Sequence, residues 1–457
     1  MKLRLDENWT TNNNGYPLFD ENVEKYLGVL PTPAQAEKAD KPFYCFIHYG
    51  MNTATGREWG NAAEKVDDFD VKKFKPKQWI KAIKASGATG VILTAKHHDG
   101  FCMWATGTTD FNVMNSALNQ DVVWAVKEAC ENENMDFGIY LSPWDMHEKT
   151  YATEQYNDFF CRQLTELLTK YGDIFEVWFD GAKGADAKAF HYDWERYYKL
   201  VKTLQPNTNI AICGPDIRWV GNEQGKARRS EYCVVPEYLT VAETVEKNSQ
   251  SAEDKSVGAM PKSSDEDLGS RELLSKHEYL KWYPAEVDVS IRKGWFYPGH
   301  GQVKSVKKLF NIYLNSVGNN SFLLLNVPPS KRGVIVRKDK LRLKKLGERI
   351  NSIYANPVLS QNFGELKKET DGYVEFNFDS EKALKYAILR EDITKGQRIE
   401  KFDLYLMKNT EKYKRAYSGT VVGMRKIIPV KGKYVAALLV VRRSRGTPCF
   451  KEIGFYE

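Results

Sequence analysis

Three histidines and one aspartate stand where short apolar runs stop. His48 lies at the end of Phe43–Gly50, His97 and His98 follow Thr89–Thr94, and Asp180 ends the run Ile174–Phe179 just before Gly181. Runs of aromatic and β-branched residues closed by a glycine read as short buried strands. In α/β barrels, polar side chains at the C-terminal ends of strands are where catalysis takes place. Asp180 by itself reads as an ordinary turn or helix-capping residue. The other strand ends change that, because three of the chain's seven histidines, together with Tyr140 and Trp178, fall in equivalent places. Two chemistries fit such a cluster. One is a metal site, since histidine and aspartate suit zinc or iron. The adjacent pair His97-His98 counts against it, because consecutive strand residues face opposite sides unless a bulge or strand end intervenes. The other is a sugar pocket, where neutral imidazoles exchange hydrogen bonds with hydroxyls and tryptophans form the walls.

Glycoside hydrolysis needs a second carboxyl group. The loop from Gly214 to Gly225, with three glycines and Trp219, contains Glu223. A glutamate beside apolar groups has its pKa raised and stays protonated as a general acid, while a carboxylate among donors stays ionised as a nucleophile. Retaining hydrolysis places two such groups about 5–5.5 Å apart. Spacing alone leaves Asp216, Glu231 and Glu237 as rivals to Glu223.

These residues need a scaffold, and the chain alternates strands with helices from Phe43 onward. Helical patterns cover Lys77–Ala85, Asp121–Glu133, Glu154–Tyr171 and Trp194–Leu204, with strands at Phe137–Leu141 and Asn209–Cys213 between or after them. That spacing predicts βα units and a parallel sheet, and the polar strand ends favour a barrel over an open sheet. Tyr232–Val235 is a candidate sixth strand, residues 240–275 a long loop, and Val287–Ile291 and Phe322–Val327 the last strands, around a helix at Val303–Val317. Lys338–Ile350 is a basic run expected to form a solvated helix joining two domains, 1–340 and 341–457. Beyond it, short alternating segments such as Tyr373–Phe378, Leu384–Arg390 and Tyr434–Val441 predict an antiparallel β-sandwich with a packing role.

Composition bounds the partners. No run of about 18 apolar residues occurs, so no membrane span is expected. Met1–Trp9 is charged and lacks an apolar core, so no signal peptide is expected. The seven cysteines lack paired spacing and read as buried thiols. A net charge of +7 set against 60 acidic residues argues only weakly for a polyanionic partner, and no nucleic acid is expected.

The motifs Phe46-Ile47-His48-Tyr49-Gly50-Met51-Asn52-Thr53, Arg57-Glu58-Trp59-Gly60, Thr94-Ala95-Lys96-His97-His98-Asp99-Gly100-Phe101, Phe137-Gly138-Ile139-Tyr140-Leu141-Ser142-Pro143-Trp144, Glu176-Val177-Trp178-Phe179-Asp180-Gly181 and Asp288-Val289-Ser290-Ile291-Arg292 occur in this order. The chain resembles in them the α-L-fucosidases of glycoside hydrolase family 29, over about residues 29–340. The resemblance implies an irregular (β/α)8-like, TIM-type barrel followed by a C-terminal β-sandwich. It also implies retaining release of α-L-fucose with no cofactor and no metal. Carried over by motif, Asp180 is the nucleophile, and His48, Glu58, Trp59, His97, His98, Tyr140 and Trp178 are the sugar-binding shell, with Trp295 packing on the sugar. The loop Pro215–Glu223, with Arg218 among its substrate contacts, resembles that of the subgroup acting on α-1,3/1,4-linked fucose in branched, Lewis-type oligosaccharides or glycoconjugates. There the corresponding glutamate, Glu223, is the acid/base. The alternatives are a non-catalytic fucose-binding protein and a metal-dependent hydrolase using the histidine cluster.

Overall fold

The apolar runs are too uniformly hydrophobic to leave either face in water, and the structure buries both. Every residue of Phe43–Ile47 (β1) and Gly90–Lys96 (β2) is buried, as expected for parallel strands covered by helices. Asp136–Leu141 (β3), Glu176–Phe179 (β4) and Asn209–Ile212 (β5) follow, and then a two-residue strand, Arg218–Trp219 (β6). Val234–Pro236 (β7) and Leu280–Trp282 (β8) pair only with each other, antiparallel. Ala285–Ser290 (β9) and Phe322–Asn326 (β10) complete the sheet. This computed structural model describes residues 24–184, 187, 190–250, 265–366, 372–409 and 412–457; the chain before residue 24 and the segment 251–264 of the expected long loop lie outside them.

The eight-stranded sheet has the order β5-β4-β3-β2-β1-β10-β9-β6, with every neighbouring pair parallel. A parallel bridge between Ala211 and Ile217 joins its two ends. The result is a nearly closed TIM-like barrel. Helices Pro76–Lys84, Val122–Asn132, Glu154–Lys170 and Trp194–Leu204 connect the first five strands, and Val306–Ser316 links β9 to β10. The irregularity lies around β6, which follows β5 by a tight turn with no helix. Tyr232–Val235, expected as the sixth barrel strand, contributes instead to the outlying ribbon of β7 and β8. Its full burial made it resemble a barrel strand, but β6 holds that place beside β9. The stretch expected as loop after Val241 begins with a helix, Ala242–Gln250.

The N-terminal mouth of the barrel is plugged by the helix Pro33–Asp40, fixed by a capping box between Thr32 and Gln35. Its Lys38 is buried, paired with Glu176 and lying over the Tyr44 ring at 3.4 Å. Desolvation lowers the Lys38 pKa against the pull of Glu176 and Glu286. Removal of one partner would leave an uncompensated buried charge.

Arg337–Tyr354, expected to be solvated, buries one face through Leu343, Leu346, Gly347, Ile350 and Ile353. Gly347 meets the backbone of Ala85 and Ser86, at the end of the Pro76–Lys84 helix. After it the chain forms an antiparallel sandwich. Two 19-residue strands, Tyr373–Glu391 and Lys426–Ser444, pair along their length with register shifts. One half of the first pairs with Cys449–Tyr456 and the far half of the second with Ile399–Met407, so both strands serve two leaves over a common core that includes Phe376, Leu389, Phe402, Leu439 and Phe455. Expected segments Tyr373–Phe378 and Leu384–Arg390 are thus one bent strand.

Candidate active site

Residues just beyond β1, β2, β3 and β4, together with β9 and the loops after β6 and β9, surround a cavity of about 650 Å³ at the C-terminal end of the barrel. Its lining includes His48, His97, His98, Tyr140, Trp178, Asp180, Glu223 and Trp295. Asp180 follows β4 and accepts hydrogen bonds at both oxygens: from the Tyr140 hydroxyl to Oδ2 at 2.9 Å and from the Ala182 N–H to Oδ1 at 2.8 Å. His98 Nε2 lies 3.9 Å from Oδ2. The two donors, Tyr140 and Ala182, fix the orientation of the carboxylate.

The three imidazoles are neutral, and their neighbours set their tautomers. Asn326, at the end of β10, donates through Nδ2 to the Trp295 carbonyl and to Ser290 Oγ. Its Oδ1 therefore accepts from His48 Nδ1–H at 3.0 Å, leaving His48 Nε2 as an acceptor. Ser142 Oγ donates to the Trp144 carbonyl at 2.7 Å and accepts from His98 Nδ1–H at 2.7 Å, so His98 Nε2 is also an acceptor. Asn52 Nδ2 donates to Asp99 Oδ2 at 3.1 Å and to His97 Nδ1 at 3.3 Å, which leaves the proton of His97 on Nε2. Burial lowers all three pKa values. His48 falls to about 3, with His98 adding to the effect, His97 falls well below its usual value, and at His98 the charge of Asp180 opposes the shift. A set of two acceptors and one donor suits hydroxyl groups, each of which both donates and accepts. Among the described residues, no group of three or more His, Cys, Asp or Glu side chains is arranged to hold a metal ion.

Aromatic rings form the walls. Trp178 stacks on Tyr140 with centroids 5.3 Å apart and donates its indole N–H to Glu286 at 2.8 Å. Trp59, 56% exposed, stands at the mouth edge-on to Trp144 at 5.6 Å. Glu223 lies on the same rim, accessible to solvent. Partial desolvation raises its pKa, and the negative charges of Asp180 and Glu58 add to the rise, while a hydrogen bond from the Trp295 side chain opposes it. Water at the rim screens these effects.

The α-L-fucosidase family model matches residues 34–353. The chain belongs to the α-L-fucosidase family, glycoside hydrolase family 29. It is 34% identical to alpha-L-fucosidase 1 of Arabidopsis thaliana, over 93% of this chain and 87% of that protein. Among solved structures, a Bacteroides ovatus protein is 38% identical with a TM-score of 0.85, covering 95% of this chain and 75% of that one. A glycoside hydrolase 29 family member from an unknown rumen bacterium is 31% identical with a TM-score of 0.80, covering 94% and 77%.

In this α-L-fucosidase not every sequence-predicted site residue reaches the cavity. Arg218 is a correction: it points into the protein, donating to Glu231 and to the carbonyls of Tyr232 and Tyr283. Glu58 is not in the lining either; it accepts the Trp295 backbone N–H at 2.8 Å and so holds the loop that carries Trp295. The rivals of Glu223 are occupied elsewhere. Glu231 is buried between Arg218 and Arg228, Asp216 pairs with Lys202 and the Ile210 N–H, and Glu237 lines a separate cleft. Sequence reasoning missed Trp144, Asp288, Lys183, His191 and Glu246, which also line the cavity. Asp288 had a signal, since it alternates with Glu286 and Ser290 on the inward face of β9. Its Oδ1 accepts the Trp219 indole N–H at 2.9 Å, and burial and the charge of Glu223 push its pKa up.

Proposed function

We propose that the enzyme is a retaining α-L-fucosidase that removes terminal α-1,3/1,4-linked L-fucose from branched, Lewis-type oligosaccharides or glycoconjugates. The observation that carries this reading is the presence, in one cavity, of two carboxyl groups in contrasting surroundings. Asp180 is held by two donors, and Glu223 is pushed toward its protonated form partly by Asp180 itself. Asp180 attacks the anomeric carbon while Glu223 protonates the departing oxygen. Once Asp180 is esterified its charge is gone, and with it one of the influences raising the Glu223 pKa. Glu223, left as the carboxylate when it gave its proton to the departing oxygen, is held in that form more easily and takes a proton from the water that hydrolyses the intermediate and frees Asp180. The same charge thus helps to set both roles of Glu223.

His48, His97 and His98 bind the ring hydroxyls, and the aromatic walls take the C–H faces and the methyl group of a 6-deoxy sugar. The linkage preference rests on the resemblance of the Pro215–Glu223 loop. It is supported by the breadth of the cavity, which extends past the histidines to Trp59, Trp144, Lys183 and Glu246 and so offers contacts to a branched leaving group. A non-catalytic binder would have no use for Glu223 beside Asp180.

Proton NMR of a Lewis-type trisaccharide with α-1,3-linked fucose, followed from the first minutes, tests both parts. Early release of α-fucose is expected, with α-1,2-linked fucosides cleaved far more slowly. Early β-fucose would overturn retention, and equal cleavage of α-1,2-linked substrates would overturn the linkage preference.

A further inference from the structure

The modest net charge hides a strong segregation. Residues 71–85 contain six lysines (72, 73, 75, 77, 81 and 84) and no carboxylate. Residues 331–345 contain eight cations and a single carboxylate, Asp339. That carboxylate is buried and held by Arg292 through two bonds of 2.8 and 2.7 Å, so it does not face outward. Fourteen cations therefore belong to two segments of a chain whose whole net charge is +7.

The fold joins these segments into one surface. The Lys75 N–H and the Trp79 indole N–H both donate to the Gly333 carbonyl, at 2.9 Å each, and Gln78 donates to the Ile335 carbonyl at 2.8 Å. Further down, Gly347 lies against Ala85. Lys72, Lys73, Lys75, Lys77, Lys81 and Lys84 on one side are exposed, as are Lys331, Arg332, Arg337, Lys338, Lys340, Lys344 and Lys345 on the other. The ion pairs described there are few: Lys331 with Asp70, Lys81 and Lys84 with Glu133, and Lys344 with Glu348 at 3.9 Å. Like charges gathered this closely repel one another, and an anionic partner relieves that repulsion.

Position suggests which partner. Residues 71–75 and 331–336 follow β1 and β10, so they lie at the end of the barrel that opens into the cavity, and the two helices carry the charge down one flank. We infer that this face binds an acidic polysaccharide, a polymer bearing carboxylate or sulfate groups, and holds the enzyme on the matrix in which its substrates occur. A stripe running from the catalytic rim down a flank fits an extended chain. The choice of a glycan rests on the fucosidase reading; the charge segregation does not.

The probe is immobilised chondroitin sulfate, which carries both kinds of anionic group. The native enzyme should bind it, with affinity falling steeply as salt rises. The quadruple variant K338E/K340E/K344E/K345E should bind about tenfold more weakly or worse, with a flatter salt dependence. A variant with the same charge change on the sandwich, K412E/K414E/R415E/K431E, should bind like the native enzyme. Turnover of a small aryl α-L-fucoside by both variants should be unchanged, which also shows that they are folded. Failure of that activity in the native enzyme would count against the fucosidase reading alone. The inference is overturned if both quadruple variants lose binding equally, if neither does, or if duplex DNA or phosphatidylserine vesicles bind the same face more tightly than the glycan.

Discussion

The register of β3 against β4 sets Tyr140 beside Trp178, and from there its hydroxyl donates to Asp180. Replacement of Asp180 by asparagine is expected to lower kcat by three orders of magnitude or more with little change in Tm, because the amide keeps the shape and loses the nucleophile. Near-normal turnover in the folded variant would remove Asp180 from the mechanism. For Glu223→Ala, activity on an activated aryl fucoside should be partly restored by azide, and the upper limb of the pH–rate profile, which reports loss of the acid's proton, should disappear. His48 gives a prediction for stability. Its folded pKa of about 3 lies below the ~6.5 of the unfolded chain, so its contribution is present above pH 6.5 and is lost as pH falls toward 3. The loss amounts to about 2 kcal/mol at pH 5. Comparison of Tm against pH for the native enzyme and His48→Asn should show a shallower acid slope in the variant.

At the scale of elements, the strands that carry chemistry were readable because full burial makes them apolar throughout, and β6 was not. Two residues offer no periodicity, so the stretch reads as a loop and leaves the direction of Arg218 open. As a strand it fixes opposite directions for its two side chains: Arg218 goes to Glu231, and Trp219 goes to Asp288 in the cavity. The apolar run 232–235 reads as a strand, but local sequence does not encode its partner, which lies outside the barrel. The basic helix reads as solvated because its charges outnumber its apolar residues, although leucines and isoleucines at helical spacing mark a buried face. Gly347 tests that packing. A methyl group there would clash with the Ala85 carbonyl, and backbone cannot rotate aside. Gly347→Ala should destabilise the enzyme by about 2 kcal/mol, read as a lower Tm or denaturation midpoint, whereas helix propensity alone predicts a small gain. An unchanged or higher Tm would contradict the close approach.

Across the whole molecule, closure of the barrel makes the site. Asp180 follows β4 and Glu223 follows β6; β5 lies between these strands, paired with β4 on one side and joined to the start of β6 by the Ala211–Ile217 bridge on the other. A metal-dependent hydrolase would need a lone pair from each imidazole aimed at one ion; the Asn52 amide takes the Nδ1 lone pair of His97, whose Nε2 carries the proton. Activity should accordingly survive exhaustive treatment with chelator, and a loss restored by added metal would reopen that reading. Trapping shows whether Asp180 becomes bonded to the sugar during turnover. The enzyme would be incubated with 2-deoxy-2-fluoro-α-L-fucosyl fluoride, which is expected to form the ester and to slow its hydrolysis, then digested and mapped by mass spectrometry. One added fluorofucosyl group is expected, on the peptide containing Asp180 and on that side chain. A label on Glu223 or Asp288, or full turnover with no covalent adduct, would contradict this expectation.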